Sequence, residues 1–157
     1  MKKLLLAVPF ICCLVFTGCK KDNQNVVNDL FMGAFKNGQA WVGQPFAGYL
    51  AGKDSVQVGG FKATGEETLY FNLKALSKGT YTIKPGQAVY FTTIGMDAVT
   101  GNYKIDATLT NTVTIRDFNV ATNIVNGTFL LNFVKVSGAG PDKLSFTEGK
   151  FYALMPQ

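Results

Sequence analysis

The sequence contains no histidine, and that absence removes more function classes than any motif adds. Histidine is the commonest general base near neutral pH and the commonest transition-metal ligand. Without it, Ser-His and Cys-His catalysis and the usual zinc-hydrolase arrangements cannot be assembled. Cysteine is scarce: Cys12, Cys13 and Cys19 all fall in the first nineteen residues. Arg116 is the sole arginine and no basic stripe exists, so nucleic acid is not an expected partner. Of the serines at 55, 77, 137 and 145, none heads an S-x-x-K motif. The acids are scattered. Glu66 and Glu67 are adjacent, which puts them on opposite faces of a strand or in solvent at a turn, while Asp54, Asp97, Asp142 and Glu148 flank glycines or turns. A carboxylate-dependent hydrolase would need two of them to converge in one cleft. No calcium-loop spacing of the D-x-[DN]-x-[DN]-G kind is present. The chain reads as non-enzymatic, with no metal and no cofactor.

Long apolar runs are also missing. The longest, Leu4 to Phe16, follows Lys2-Lys3 and is uncharged for thirteen residues. A membrane-spanning helix needs roughly 20 residues, whereas a secretory signal peptide has an apolar region of this length. Pro9 in its middle argues further against a permanent span. The run ends in Phe-Thr-Gly-Cys, a sequence that looks like a lipobox, with small residues just before a cysteine that becomes acylated. Residues 1–18 therefore read as a lipoprotein signal peptide, and Cys19 as the lipidation site. Residues 19–30 read as the lipidated cysteine and a polar, Asn-rich tether too poor in apolar side chains to fold alone. Extended, the tether reaches roughly 35 Å, at about 3.3–3.6 Å per residue. One acyl chain holds a protein only marginally and two or more hold it firmly. The expected partner is thus a membrane, the outer membrane of a cell envelope, with the domain facing the periplasm or the surface.

What remains after residue 18 is of single-domain length and able to bury a core. Its charge is mild: 15 cationic side chains less Lys2 and Lys3, against 10 acidic ones, leave +3. With Cys19 acylated no thiol is left for a disulfide.

From Phe31 to Leu154 the chain alternates apolar and polar residues in short segments broken by glycine-containing turns. That pattern predicts one all-β domain over residues 31–157: an antiparallel β-sandwich or flattened β-barrel of about eight to ten strands. The expected strands are Phe31–Lys36, Gln39–Leu50, Ser55–Lys62, Thr68–Lys74, Gly79–Lys84, Ala88–Ile94, Gly101–Leu109, Thr112–Phe118, Val125–Val136 and Leu144–Leu154. Asn37-Gly38 is the preferred two-residue hairpin turn, and it sets Phe35 opposite Ala40 and Ala34 opposite Trp41. A second hairpin, centred on Asn111, collects Tyr103, Ile105, Ala107, Leu109, Val113 and Ile115 on one face. It sets Asp106 across from Arg116 as a surface pair.

Aromatic side chains are the main candidates for recognition. Most belong to core and cross-strand packing, but Trp41 and Tyr49 are the best candidates for an exposed, ligand-binding platform. The ligand expected there is a glycan or an envelope protein partner. A closed barrel would instead hold a small apolar ligand inside, as a lipocalin-like carrier does. Asp54-Ser55-Val56 resembles the short D-[ST]-aliphatic sequon for protein O-glycosylation, which makes Ser55 a candidate acceptor.

The segments FKNGQAW, GTYTI, NTVTIRDF, IVNGTFLLNF and LSFTEGKFYAL occur in that order between Phe31 and Leu154. Together they resemble a family of Bacteroidota lipoproteins known only as a domain of unknown function. The resemblance implies a lipid-anchored, all-β extracytoplasmic domain and supplies no catalytic or binding residues. In such bacteria acidic residues soon after the cysteine often accompany surface display; Lys20-Lys21-Asp22 departs from that.

Overall fold

The computed structural model describes residues 30–50, 55–62, 64, 66–74 and 76–156. The expected signal peptide, Cys19 and the expected tether up to residue 29 lie outside the described residues.

Ten strands follow in order: β1 (Phe31–Lys36), β2 (Gln39–Tyr49), β3 (Val56–Phe61), β4 (Glu67–Leu73), β5 (Gly79–Thr82), β6 (Ala88–Ile94), β7 (Ala98–Ile105), β8 (Thr112–Asn119), β9 (Ile124–Gly138) and β10 (Lys143–Leu154). They form one antiparallel sheet in the order β10-β1-β2-β3-β4-β6-β7-β9-β8-β5, and β10 also pairs with β9. That last pairing closes a ring of eight strands, so the architecture is a barrel rather than a two-sheet sandwich. Closure removes the free edges of those strands and with them a common route to aggregation.

The Asn37-Gly38 turn is as the sequence implies. Both residues have positive φ, 49° and 79°, the geometry that matches strand twist in a two-residue hairpin. The pairs Phe35–Ala40 and Ala34–Trp41 follow from it.

The second hairpin does not form. β7 pairs with β6 and with the C-terminal half of β9, whereas β8 pairs with β5 and with the N-terminal half of β9. The two strands lie end to end along one edge of β9 instead of side by side. The reason lies in the connection. Asp106 Oδ1 accepts hydrogen bonds from the Thr108 backbone N–H at 3.0 Å and the Thr108 hydroxyl at 2.5 Å, an Asx turn that ends β7. Asn111 is then buried at the seam. Its Nδ2 donates to the carbonyls of Asp106 and Leu109, both at 2.8 Å, and its Oδ1 accepts from the Asn132 N–H at 2.6 Å. Asn132 Nδ2 returns a bond to the Thr110 carbonyl at 2.8 Å. A surface Asp106–Arg116 pair is therefore replaced by a buried Asp106 held by Thr108, with Lys143 at 3.8 Å. Tyr103, Ile105, Val113 and Ile115 do point inward, but Ala107 and Leu109 turn out to solvent.

The barrel interior is filled by rings in two groups. Toward one end, Tyr90 packs against Tyr103, Phe146 and Phe133 at centroid distances of 5.4, 5.2 and 6.4 Å. Trp41 meets Phe146 edge-on at 5.6 Å. Toward the other end, Phe71 packs on Phe151 at 5.5 Å and on Phe129 at 5.9 Å. Room for the second group comes from glycines directly opposite: Phe151 pairs across from Gly127 and Phe129 across from Gly149. A Cβ on Gly149 would sit 2.4 Å from the Phe129 ring, and one on Gly127 2.7 Å from Phe151. These rings stand where an apolar-ligand carrier would need space. The core cluster is drawn entirely from Met32 to Met155, so this unit carries its own core.

Candidate functional site

Strand alternation sends Met32, Ala34 and Lys36 of β1 to the inner face. The turn at Asn37-Gly38 stops the strand just as the lysine reaches the barrel's end. Glu67 begins β4 on the inner face of Leu69, Phe71 and Leu73, and Tyr90 stands on the adjoining β6. The three meet at this mouth. Lys36 Nζ donates to Glu67 Oε2 at 2.5 Å and to the Tyr90 hydroxyl at 3.1 Å; that hydroxyl donates to the same Oε2 at 2.8 Å. Lys62, just past β3, reaches Glu67 Oε1 at 2.7 Å. The Lys36 ammonium also lies 5.4 Å from the centre of the Tyr90 ring, within cation–π range. The side chains of Lys36 and Glu67 keep 22% and 17% of their surface exposed, so the pair is set into the wall of the mouth.

The chemistry of the cluster is that of fixed charges. Burial raises the Glu67 carboxyl, but hydrogen bonds from Lys36, Lys62 and Tyr90, with the Lys36 charge, bring it down to about 2. Burial pushes the Tyr90 hydroxyl well above its ordinary value, and the bond to Glu67 pushes it further. Burial raises the Tyr103 hydroxyl as well, against the charge of Lys135. A general acid or base works best with its pKa near the operating pH; Glu67, Tyr90 and Tyr103 are all moved away from it.

Beside this cluster opens a cleft of about 420 Å³, lined by Lys36, Asn37, Gln39, Tyr90, Thr92, Tyr103, Leu144 and the segment Ala139-Gly140-Pro141. Its lip is pinned from below. The Tyr103 hydroxyl donates to the Ala139 carbonyl at 3.3 Å, and Lys135 Nζ to the Gly140 carbonyl at 2.9 Å while pairing with Asp142 at 2.8 Å. Gly140 has a φ of +101°, and a Cβ there would lie 2.3 Å from the Tyr103 oxygen. Only glycine lets the lip come down onto that hydroxyl. Ammonium, amide and hydroxyl groups make a donor-rich lining. It suits an anion or a polyol better than a metal ion, since the nearby carboxylate spends both oxygens on Lys36, Lys62 and Tyr90.

The residues expected from sequence stand elsewhere. Trp41 is 1% exposed and part of the core, which corrects the expectation that it is exposed. It faces inward with Met32 and Ala34, and its indole N–H has no hydrogen-bond partner. Tyr49 is 43% exposed, but it ends β2 at the pole opposite Gln39 and the cleft. The two therefore form no common platform. Ser55 is half-buried just ahead of β3, its carbonyl accepting the Leu50 N–H at 2.8 Å; Asp54 of the sequon lies outside the described residues. Sequence reasoning did not single out Lys36, Glu67 or Tyr90 as site residues. One signal was present for Lys36: a lysine in phase with Met32 and Ala34 is a charge on an apolar face. For Glu67 the sequence left a strand face and a solvated turn both open, and alternation with Leu69 and Phe71 points it inward.

No curated protein and no solved structure shows a match to this chain. A family model does, over residues 28–155, a span that takes in all ten strands and both sides of the cleft. The chain belongs to the DUF6252 family, a domain of unknown function.

Proposed function

We propose that this chain is a lipid-anchored lipoprotein of the cell envelope, of the Bacteroidota type, acting as a non-catalytic binding module. Cys19 carries the acyl chains, and the cleft at the barrel mouth takes a glycan or an envelope protein partner. The observation that carries this reading is one of polarity. The chain enters β1 at Phe31, at the pole opposite the Asn37-Gly38 turn and the cleft. Attachment through Cys19 therefore joins the barrel at the end away from the cleft and does not run through it. The absence of histidine and the displaced titrations of Glu67 and Tyr90 favour binding over proton transfer. Outer-membrane location rests on the Phe-Thr-Gly-Cys seam, and Ser55 is retained as a candidate O-glycosylation site.

Two experiments test the reading. Mass spectrometry of the native protein is expected to find a new N-terminus at Cys19 bearing diacylglycerol and an amide-linked acyl chain such as palmitate. An unmodified thiol or an uncleaved leader refutes the anchor. For the cleft, a photo-crosslinking residue placed at Gln39 in cells is expected to capture a glycan or an envelope protein, and one placed at Tyr49 is not. Capture at Tyr49 alone refutes the cleft as the recognition surface.

A further inference from the structure

The cleft has a sign. Of the described residues that line it, Lys36 is the single charged one. Glu67 stands behind it with Oε1 engaged by Lys62 and Oε2 by Lys36 and Tyr90. Two ammonium groups around one carboxylate leave a net positive charge at the back of the cleft. An ammonium has three donor positions. Lys36 uses two, on Glu67 and on the Tyr90 hydroxyl, and the third has no partner among the described residues. The Gln39 amide likewise has none. Thr92 and Thr100 share one hydroxyl–hydroxyl bond of 2.9 Å, which leaves further donor and acceptor capacity at the cleft wall. The volume of about 420 Å³ falls within the roughly 300–1,000 Å³ typical of small-molecule sites.

We infer that the cleft selects a carboxylate-bearing sugar, a uronic acid unit whose carboxylate takes the open donor position of Lys36. Its hydroxyls meet Gln39, Thr92 and Tyr103. This deepens the glycan arm of the proposed function and rests on it. The arrangement is preorganised: Glu67 and Tyr90 hold the Lys36 ammonium in place, and Tyr103 and Lys135 hold the lip. Binding then orders little that is not already ordered, and preorganisation of this kind raises affinity by lowering the cost of association. A hydrogen bond to a charged group is worth more than a neutral one. The charged sugar should therefore bind about tenfold or more tightly than an uncharged copy of itself.

The test uses the chain from Lys20 onward, which keeps the whole core. Galacturonate, its methyl ester and galactose are titrated by calorimetry and followed by backbone amide shifts. Galacturonate is expected to bind at least about tenfold more tightly than the ester or galactose, with shifts centred on Gln39, Gly140 and Leu144. Lys36→Met is expected to bring acid and ester within about twofold of each other. Should that variant fail to fold, Gln39→Leu at an exposed position is expected to weaken acid and ester alike, and added salt to weaken only the acid. Equal affinity for acid and ester overturns the charge selection but leaves the cleft a sugar site. Binding without shifts at the mouth overturns the site. Capture of a protein at Gln39 with no binding of any sugar overturns this inference and leaves the protein-partner arm of the proposed function standing.

Discussion

Replacing Glu67 by glutamine should produce a stability deficit that depends on pH in a defined direction. The Glu67 carboxyl titrates at about 2 in the folded barrel against an ordinary value of 4.5. A carboxyl lowered by folding stabilises the native state above its unfolded pKa, and that contribution is lost as pH falls through the folded value. The full displacement corresponds to about 3 kcal/mol by linkage. Solvent reaching the half-open mouth screens it to about 1–2 kcal/mol. Glutamine keeps the shape and an acceptor oxygen but leaves the Lys36 and Lys62 ammonium groups without their counter-charge. Glu67→Gln should therefore lie about 1–2 kcal/mol below the parent from pH 5 to 8. The gap should narrow from pH 4.5 downward and nearly close at pH 2.

The assay is urea unfolding at a series of pH values, read by the fluorescence of Trp41, the one tryptophan of the chain and a core residue. A gap that stays constant down to pH 2.5, or no gap at pH 7, would refute the reasoning. It would mean that the carboxylate titrates as an ordinary surface group and that the ion cluster does not hold the mouth. Carbon-detected titration of the Glu67 carboxyl provides the direct check, with a midpoint expected below 3.

Two further substitutions probe the scaffold. Asn111→Ala removes two donated bonds and leaves the Asn132 N–H without its 2.6 Å partner at the seam; it should cost about 2–4 kcal/mol by urea unfolding, and a loss under about 0.5 kcal/mol would show that the seam holds without it. Gly127→Ala places a Cβ 2.0 Å from the Thr114 carbonyl oxygen, whereas Gly48→Ala meets nothing within 4 Å. The first should cost about 2–3 kcal/mol or more by overpacking and the second stay within about 0.5 kcal/mol, a contrast that thermal melts of the two variants side by side would test.

The strands were legible in the sequence because alternation with period two is a local signal. β1 and β6 have the bounds the alternation implies, and the Asn37-Gly38 turn dictates the register of β1 on β2. Closure was not legible. Phe31 lies opposite Tyr152, and nothing local to either residue encodes a pairing across nearly the whole chain. The β7–β8 connection misled for a different reason. Segregation of faces is satisfied equally by a hairpin and by two strands laid end to end along β9. The choice between them is made by the side chain of Asn111, whose partners lie on the Asp106–Leu109 turn and on β9. Trp41 shows a signal present but outweighed: the hairpin register already placed it across from Ala34, on the face of Met32, and so inward.

The polar cluster at the mouth raises a question of energetics that bears on function. Setting an ammonium and a carboxylate into a wall otherwise built of phenylalanine, leucine and tyrosine incurs a desolvation penalty. Well-packed apolar side chains often match or exceed the stability of such a pair. Lys36 and Glu67 are therefore weak candidates for a purely stabilising role. Nor does register require them, since the Asn37-Gly38 turn already sets the pairing of β1 with β2. What the pair supplies that apolar residues would not is an oriented positive donor at the edge of a preformed cleft. Among the described residues, two groups of rings fill the barrel's interior. The mouth is where the fold turns from packed hydrocarbon to positioned charge, and Lys36 is the charged residue of the cluster that lines the cleft.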